Sequence, residues 1–273
     1  MKLFEVNSRL LSKEFTRVPK IIYMNDPVWV CPLDRDIDSI FEPSKNAYFK
    51  HGDATRWILR DSSGRLIGRV AAFIDFNTSS TWDQPTGGMG FFECIDSPEA
   101  AFMLFDAARN WLTERGMEAM DGPINFGETD KYWGLLVDGF THPTFEVAYN
   151  PPYYIKLFES YGFKKFYGMT GFLFDIKAGA PERFRKIAEW ITRKPDYEFR
   201  HFRWDRANEM MDDFAEVFNQ AWASFKKDNF EPLTRDYIMG TLKKARIIID
   251  VEFIWIAYFK KRPVAIFMLY PDA

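Results

Sequence analysis

The stretch from Gly88 to Phe163 constrains the fold of this chain more than any other part of it. It closes on Asn150-Pro151-Pro152-Tyr153-Tyr154-Ile155-Lys156-Leu157-Phe158-Glu159-Ser160-Tyr161-Gly162-Phe163. In order it predicts a strand, a helix, a strand, a long loop, a short helix and a Gly-Phe stop. Gly87-Gly88 leads into an aromatic-rich strand from Met89 to Ile95. Ser97-Pro98 starts a helix, because a hydroxyl caps it and proline at the first position loses an N–H that no helical carbonyl needs. Ala101, Leu104, Phe105, Ala108, Trp111 and Leu112 then share one face at a 3.6-residue period. Gly116 tolerates the positive φ that ends such a helix. Ala119 to Ile124 predicts a brief strand, Thr144 to Tyr149 an extended segment and Pro152 to Tyr161 a helix. Phe163 to Ile176 predicts a pair of strand segments.

The segments on either side read in a matching order. Leu3 to Val6 is a strand, and Ser8 to Tyr23 is a helical pattern expected to break near Pro19, which removes a backbone bond. Asp26 to Leu33 is a proline-punctuated loop, followed by a helical piece at Asp36 to Phe41. Thr55 to Arg60 and Leu66 to Phe76 are strands joined by the turn Asp61-Ser62-Ser63-Gly64. Beyond the linker Ala178-Gly179-Ala180-Pro181, a helix runs from Glu182 to Arg193 and a strand from Tyr197 to Arg203. Helices follow at Asp205 to Trp222 and Thr234 to Ala245, then a hairpin of Glu252 to Phe259 and Val264 to Tyr270. The order strand, helix, helix, strand, strand thus occurs twice, a repeat of architecture without residue identity. We therefore expect one domain over 1–177, a linker with a helix over 178–195, and a partial second domain over 196–273. A second sheet that ends after its third strand would leave an edge for another segment or subunit to cover, or mark the chain as a fragment.

Composition excludes several classes. Apolar residues make up 47 % of the chain and aromatics 18 %, enough for a packed core and too much for disorder. The net charge of −3 comes without a basic stripe, so nucleic-acid capture is not expected. No window is long and apolar enough for a membrane span. Cys31 and Cys94 form no CxxC pair, and a cytoplasmic setting fits a chain with two distant cysteines. His51, His142 and His201 are isolated, so no metal is expected. There is no Walker lysine motif and no Gly-x-Ser-x-Gly elbow, and Gly87-Gly88-Met89-Gly90 precedes a strand rather than a helix.

The order of elements from Leu3 to Ile176, with the helix closing on Gly162-Phe163, resembles the GNAT superfamily of N-acetyltransferases. Gly90-Phe91-Phe92-Glu93-Cys94, Asp121-Gly122-Pro123-Ile124-Asn125-Phe126 and Tyr149-Asn150-Pro151-Pro152-Tyr153-Tyr154 look closer still to tandem GNAT-like bacterial proteins. The resemblance implies an α+β fold, a mixed sheet flanked by helices. It also implies acetyl-CoA or another acyl-CoA as co-substrate and a small-molecule or peptide amine as acceptor.

Two parts of that pattern are missing. The superfamily holds the CoA pyrophosphate on a glycine-rich turn at a helix N-terminus. Here that place reads Glu93-Cys94-Ile95-Asp96-Ser97-Pro98-Glu99-Ala100, with no glycine, no basic residue and two carboxylates. Many members also carry a tyrosine four residues before the glycine of Gly-Phe, and that position is Phe158. Tyr154 and Tyr161 are read as lying on other faces of the short helix.

Amine acylation needs a base to remove a proton from a group of pKa near 10, and an N–H donor for the oxyanion. Glu93, on the fourth strand, is the candidate base; it could equally be a solvated outward residue. Asn125, Glu128, Asp130 and Asn150 lie in loops beyond strand ends, where α/β-type sites form, although Asn125 and Asn150 could simply bond local backbone. The expected reading is a first domain degenerate for CoA, shaping an acceptor pocket with Asn125, Tyr149, Asn150 and Tyr154 at its rim. The donor would sit in the second copy. The alternatives are a non-catalytic binding module with a pocket lined by Trp133, Tyr149 and Tyr153, or an assembly subunit that forms a homo-oligomer through its open sheet.

Overall fold

The computed structural model describes residues 1–269 except Trp82, Asp130, Phe145, 224–231 and Ile248. The chain divides into two compact units, Met1–Thr170 and Gly171–Ala273.

In the first unit the elements are β1 (Lys2–Glu5), α1 (Arg9–Ile22), α2 (Asp34–Ile40), β2 (Gly52–Arg60), β3 (Leu66–Asp75), β4 (Thr86–Cys94), α3 (Pro98–Thr113), β5 (Ala119–Asp121) and α4 (Tyr153–Tyr161). The strands form one sheet in the order β1-β2-β3-β4-β5, antiparallel except for the parallel pair β4–β5. This is the expected α+β class, with a buried cluster on each face of the sheet. Phe92, Cys94, Leu104, Phe105, Tyr154 and Phe158 belong to the cluster that includes α3 and α4. Phe15, Val18, Ile37, Ile58 and Ala71 form the cluster that includes α1 and α2. Ser97 caps α3 through its side chain, as its sequence predicts.

Helix α1 does not break at Pro19, which lies inside it and is buried. Proline leaves the carbonyl four residues back without its helical donor. That carbonyl belongs to Phe15, and the Arg69 guanidinium donates to it from β3 at 3.0 Å. An external donor replaces the missing bond, so the helix continues.

Strand β4 carries a bulge. The register against β3 shifts between Arg69 and Ala71, and Phe91 sits at φ +50°, a left-handed conformation strained for a bulky side chain. Strand β5 pairs with β4 only as far as Gly88, and Ile124 N–H then donates to Met89 O at 2.8 Å. At Gly90 the two segments lie so close that a Cβ would stand 1.8 Å from Ile124 O. No β5 partner faces β4 at Glu93 and Cys94, so the edge of β4 opens there.

The predicted strands over 163–176 do not form; the segment is irregular up to a short 3₁₀ turn at Ile176–Ala178. Its apolar alternation gives strand propensity, but a strand needs a neighbour's N–H and C=O groups, and no pairing is made there.

The second unit contains α5 (Glu182–Thr192), β6 (Tyr197–His201), α6 (Ala207–Ala223), α7 (Arg235–Lys244), β7 (Ile254–Phe259) and β8 (Arg262–Met268). The sheet runs β6-β7-β8, antiparallel throughout. Phe202, Met210, Met211, Phe214, Ile238, Ile254 and Ile256 form its core. Thr234, the first residue of the predicted helix, caps α7 through its side chain.

Candidate functional site

The site is built around the bulged end of β4. Beyond the bulge, Glu93 points toward α1 and is buried, at 9 % exposure. It is therefore not the solvated outward residue that the sequence left as the alternative. Tyr23, at the end of α1, donates its hydroxyl to Glu93 Oε2 at 2.6 Å, and Tyr154 of α4 donates to the same oxygen at 2.9 Å. Arg69 approaches Oε1 at 3.5 Å while its other nitrogen holds Phe15 O.

A buried carboxylate is costly without partners. Burial pushes the Glu93 carboxyl above the usual carboxylate range, and the Arg69 charge and the two tyrosine hydroxyls pull it back. The same burial, reinforced by the Glu93 charge, holds Tyr23 and Tyr154 well above the ordinary phenol value. Both tyrosines therefore stay protonated and keep donating. Arg69 is lowered by burial and held up by Glu93.

The tyrosines of α4 fill the open edge of β4. Tyr154 hydroxyl accepts the Cys94 N–H at 2.8 Å, and Tyr153 hydroxyl donates to Cys94 O at 2.7 Å. The main-chain positions that a fifth strand would have paired are thus taken by side chains. Tyr154 was expected at a pocket rim and on a different helix face from Phe158. It is 1 % exposed and packs edge-on to Phe92, as Phe158 does. Residues four apart return to the same side of a helix, which corrects that expectation.

The turn into α3 is equally occupied. Ile95 N–H bonds Ile67 O, Ser97 N–H bonds Ile95 O, Ala100 N–H bonds Ser97 Oγ, and Pro98 has no N–H. Asp96 and Glu99 add negative charge at the positive end of the helix dipole.

The loop after α1 lies against the outer side of the cluster. Trp29 stacks on Tyr23, with centroids 4.9 Å apart, and Tyr149 packs 5.9 Å from the same ring. Tyr149 donates to Asp26 Oδ2 at 2.7 Å, and burial together with that bond pushes its hydroxyl up to about 12.

The two asparagines behave differently. Asn150 spends its amide on backbone: Leu136 N–H donates to it at 2.7 Å, and it donates to Leu136 O and Pro151 O at 3.1 Å each. Asn125 is 5 % exposed, and its Oδ1 has no hydrogen-bond partner among the described residues. It sits in the turn after β5, where Asn46 donates to Phe126 O and Tyr48 to Glu128. Trp133 donates to Tyr167 at 3.0 Å. Asp130 lies outside the described residues. The structure therefore gathers Glu93, Tyr154 and Tyr149 through Tyr23, brings in Tyr153, expected as a pocket-lining residue, and adds three residues outside that reading: Arg69, Asp26 and Trp29. One of these was visible in sequence: Arg69 interrupts the apolar run Leu66 to Phe76, and a charge there must find a partner. Among the described residues no three His, Cys, Asp or Glu side chains converge as metal ligands, and no helix is long and apolar enough to cross a membrane.

No family model matches the chain. It is 27 % identical over 271 residues to the bacterial ceramide synthase of Caulobacter vibrioides, covering 95 % of this chain and 67 % of that one. It is 25 % identical over 262 residues to protein YghO of Escherichia coli, covering 95 % and 65 %. The chain thus spans about two thirds of the length of these curated relatives. Among solved structures, a Clostridium acetobutylicum protein described as a predicted acetyltransferase with acetyl-CoA aligns at TM-score 0.38 and 12 % identity, covering 65 % of this chain and 97 % of that one. The chain is similar in sequence to a bacterial ceramide synthase, and the element order of its first unit resembles that of the GNAT acetyltransferases.

Proposed function

We propose that the first unit is the acceptor side of an acyl-CoA-dependent N-acyltransferase whose acceptor is a long-chain amino alcohol. The observation that carries this is the Tyr23–Glu93 pair at the bulge of β4, a buried carboxylate with a phenol at 2.6 Å on its outer side. An amine of pKa near 10 arrives as an ammonium and must lose a proton before it attacks a thioester. In one concerted relay Tyr23 takes a proton from the ammonium as it hands its own to Glu93, so it remains a phenol throughout. The freed nitrogen then attacks the thioester carbonyl, and the C–S bond breaks as the nitrogen's surplus proton goes to the departing sulfur, giving the amide and the free thiol of CoA. Burial, which raises the proton affinity of Glu93, favours this direction of transfer. Trp29 must leave the face of Tyr23 for the amine to reach it.

The class of acceptor rests on the relative's name, because a ceramide is a fatty amide of a long-chain amino alcohol. The acyl-CoA donor rests on the GNAT resemblance. The occupied turn before α3 and the tyrosine-filled edge of β4 argue that the donor is not held in the first unit.

Calorimetric titration of the 273-residue chain tests both halves of this reading. A water-soluble short-chain amino alcohol should bind, and Tyr23→Phe should weaken it, whereas acetyl-CoA should not bind through the first unit. Failure of the amino alcohol to bind overturns the acceptor assignment. Micromolar binding of acetyl-CoA that is lost in Ser97→Ala overturns the donor assignment.

A further inference from the structure

The cluster at Glu93 does not account for an amphipathic surface in the second unit. None of the residues of α5 is buried. Phe184, Ile187 and Trp190 stand 62 %, 43 % and 59 % exposed on one side of it. The segment before it is more open still, with Phe172 at 92 %, Leu173 at 100 % and Ile176 at 83 %. Water-exposed apolar side chains of this size forgo the gain of burial, so two consecutive segments that leave six of them in water call for a covering partner.

The charges around these residues select the partner. Over 171–194 there are six Lys and Arg against three Asp and Glu, in a chain whose net charge is −3. Arg185 and Arg193 lie on the side of α5 away from Phe184 and Ile187, together with Glu182 and Glu189. Lys186 borders Trp190 and pairs with Glu182 at 2.8 Å, and Arg183 stands between Ile187 and Trp190. Lys194 packs its ammonium 3.6 Å from the Trp190 ring. Protein interfaces are depleted in lysine at their cores, whereas a bilayer surface accepts an apolar face with a tryptophan at its edge and long cationic side chains that reach past it to the headgroups. At 11 residues α5 is too short to cross a bilayer and long enough to lie in its surface.

We infer that α5 and the segment Phe172–Ile176 form an interfacial anchor that seats the second unit on an anionic lipid bilayer. The inference is independent of the acylation reading, since it uses none of the residues near Glu93.

Vesicle flotation of the 273-residue chain tests it. Vesicles of phosphatidylcholine with about one third phosphatidylglycerol should carry the protein at low salt, and phosphatidylcholine alone should carry far less. Ile187→Glu with Trp190→Glu should cut binding at least about tenfold, and so should charge reversal at Arg183, Arg185 and Lys186. Arg183→Lys with Arg185→Lys should preserve it, which separates the charge effect from misfolding. Absence of binding, or equal binding by all variants, overturns the anchor. So does sedimentation of the wild-type chain as a dimer that Ile187→Glu converts to monomer, because a second copy would then cover the face.

Discussion

Pro19 withholds an N–H from the carbonyl of Phe15, and Arg69, on a strand of the neighbouring sheet, supplies the missing donor at 3.0 Å. The same guanidinium faces Glu93. One side chain thus completes a helix and balances the buried carboxylate of the candidate site, so the two are energetically linked.

Arg69→Met should show this in its pH dependence. Removing one partner of a buried ion pair costs about 3–5 kcal/mol at neutral pH. Without Arg69 the folded-state pKa of Glu93 rises further, since that charge is the largest influence lowering it. A carboxyl whose folded pKa is raised contributes stability that is present below its unfolded value, near pH 4.3, and lost as pH rises through the folded value. The deficit of the variant in urea unfolding should therefore shrink toward acid pH and widen toward neutrality. A deficit that is flat across this range would show that Arg69 does not balance Glu93.

Pro19→Ala restores the N–H and should blunt part of that loss. In this background the Phe15 carbonyl keeps a donor when Arg69 is removed. A double-mutant cycle should give a coupling of about 1 kcal/mol, the net worth of one hydrogen bond. Simple additivity would mean that Arg69 does not stand in for the missing amide.

Tyr154→Phe should cost about 1–3 kcal/mol, because it strips the partner from the buried Cys94 N–H and one donor from Glu93. Tyr153→Phe removes only a donor to Cys94 O at a half-buried position and should cost less. Chemical denaturation of the two variants ranks them, and equal losses would contradict the closed edge of β4.

Burial pushes the Cys94 thiol up to about 12, while Cys31 is exposed. Only the thiolate reacts with a disulfide reagent. At pH 8 the folded chain should titrate one thiol and the unfolded chain two. Two thiols in the folded state would mean that the α3–α4 side of the sheet opens readily.

Gly90→Ala should destabilise the first unit by about 1–3 kcal/mol, since its Cβ would meet Ile124 O, a main-chain atom with little freedom to yield. A thermal melt unchanged by the substitution would remove the argument that these segments are held in close approach beside the bulge.

The local elements are legible in short stretches of the chain. The Ser97-Pro98 start, the 3.6-residue stripe from Ala101 to Leu112, the stop at Gly162 and the Thr234 cap are written in residues a few positions apart, and each forms as its chemistry dictates. The sequence also places Glu93 on the fourth strand and leaves the turn before α3 without a glycine or a basic residue. Only the tertiary structure decided what Glu93 meets. Tyr23, Arg69 and Tyr154 are separated from it by 70, 24 and 61 positions, and no local periodicity encodes such meetings. It likewise decided that α1 survives Pro19, because the replacement donor comes from another strand. The strands predicted over 163–176 failed for the same reason: an apolar alternation states a preference, and a strand exists only where a neighbouring backbone accepts it.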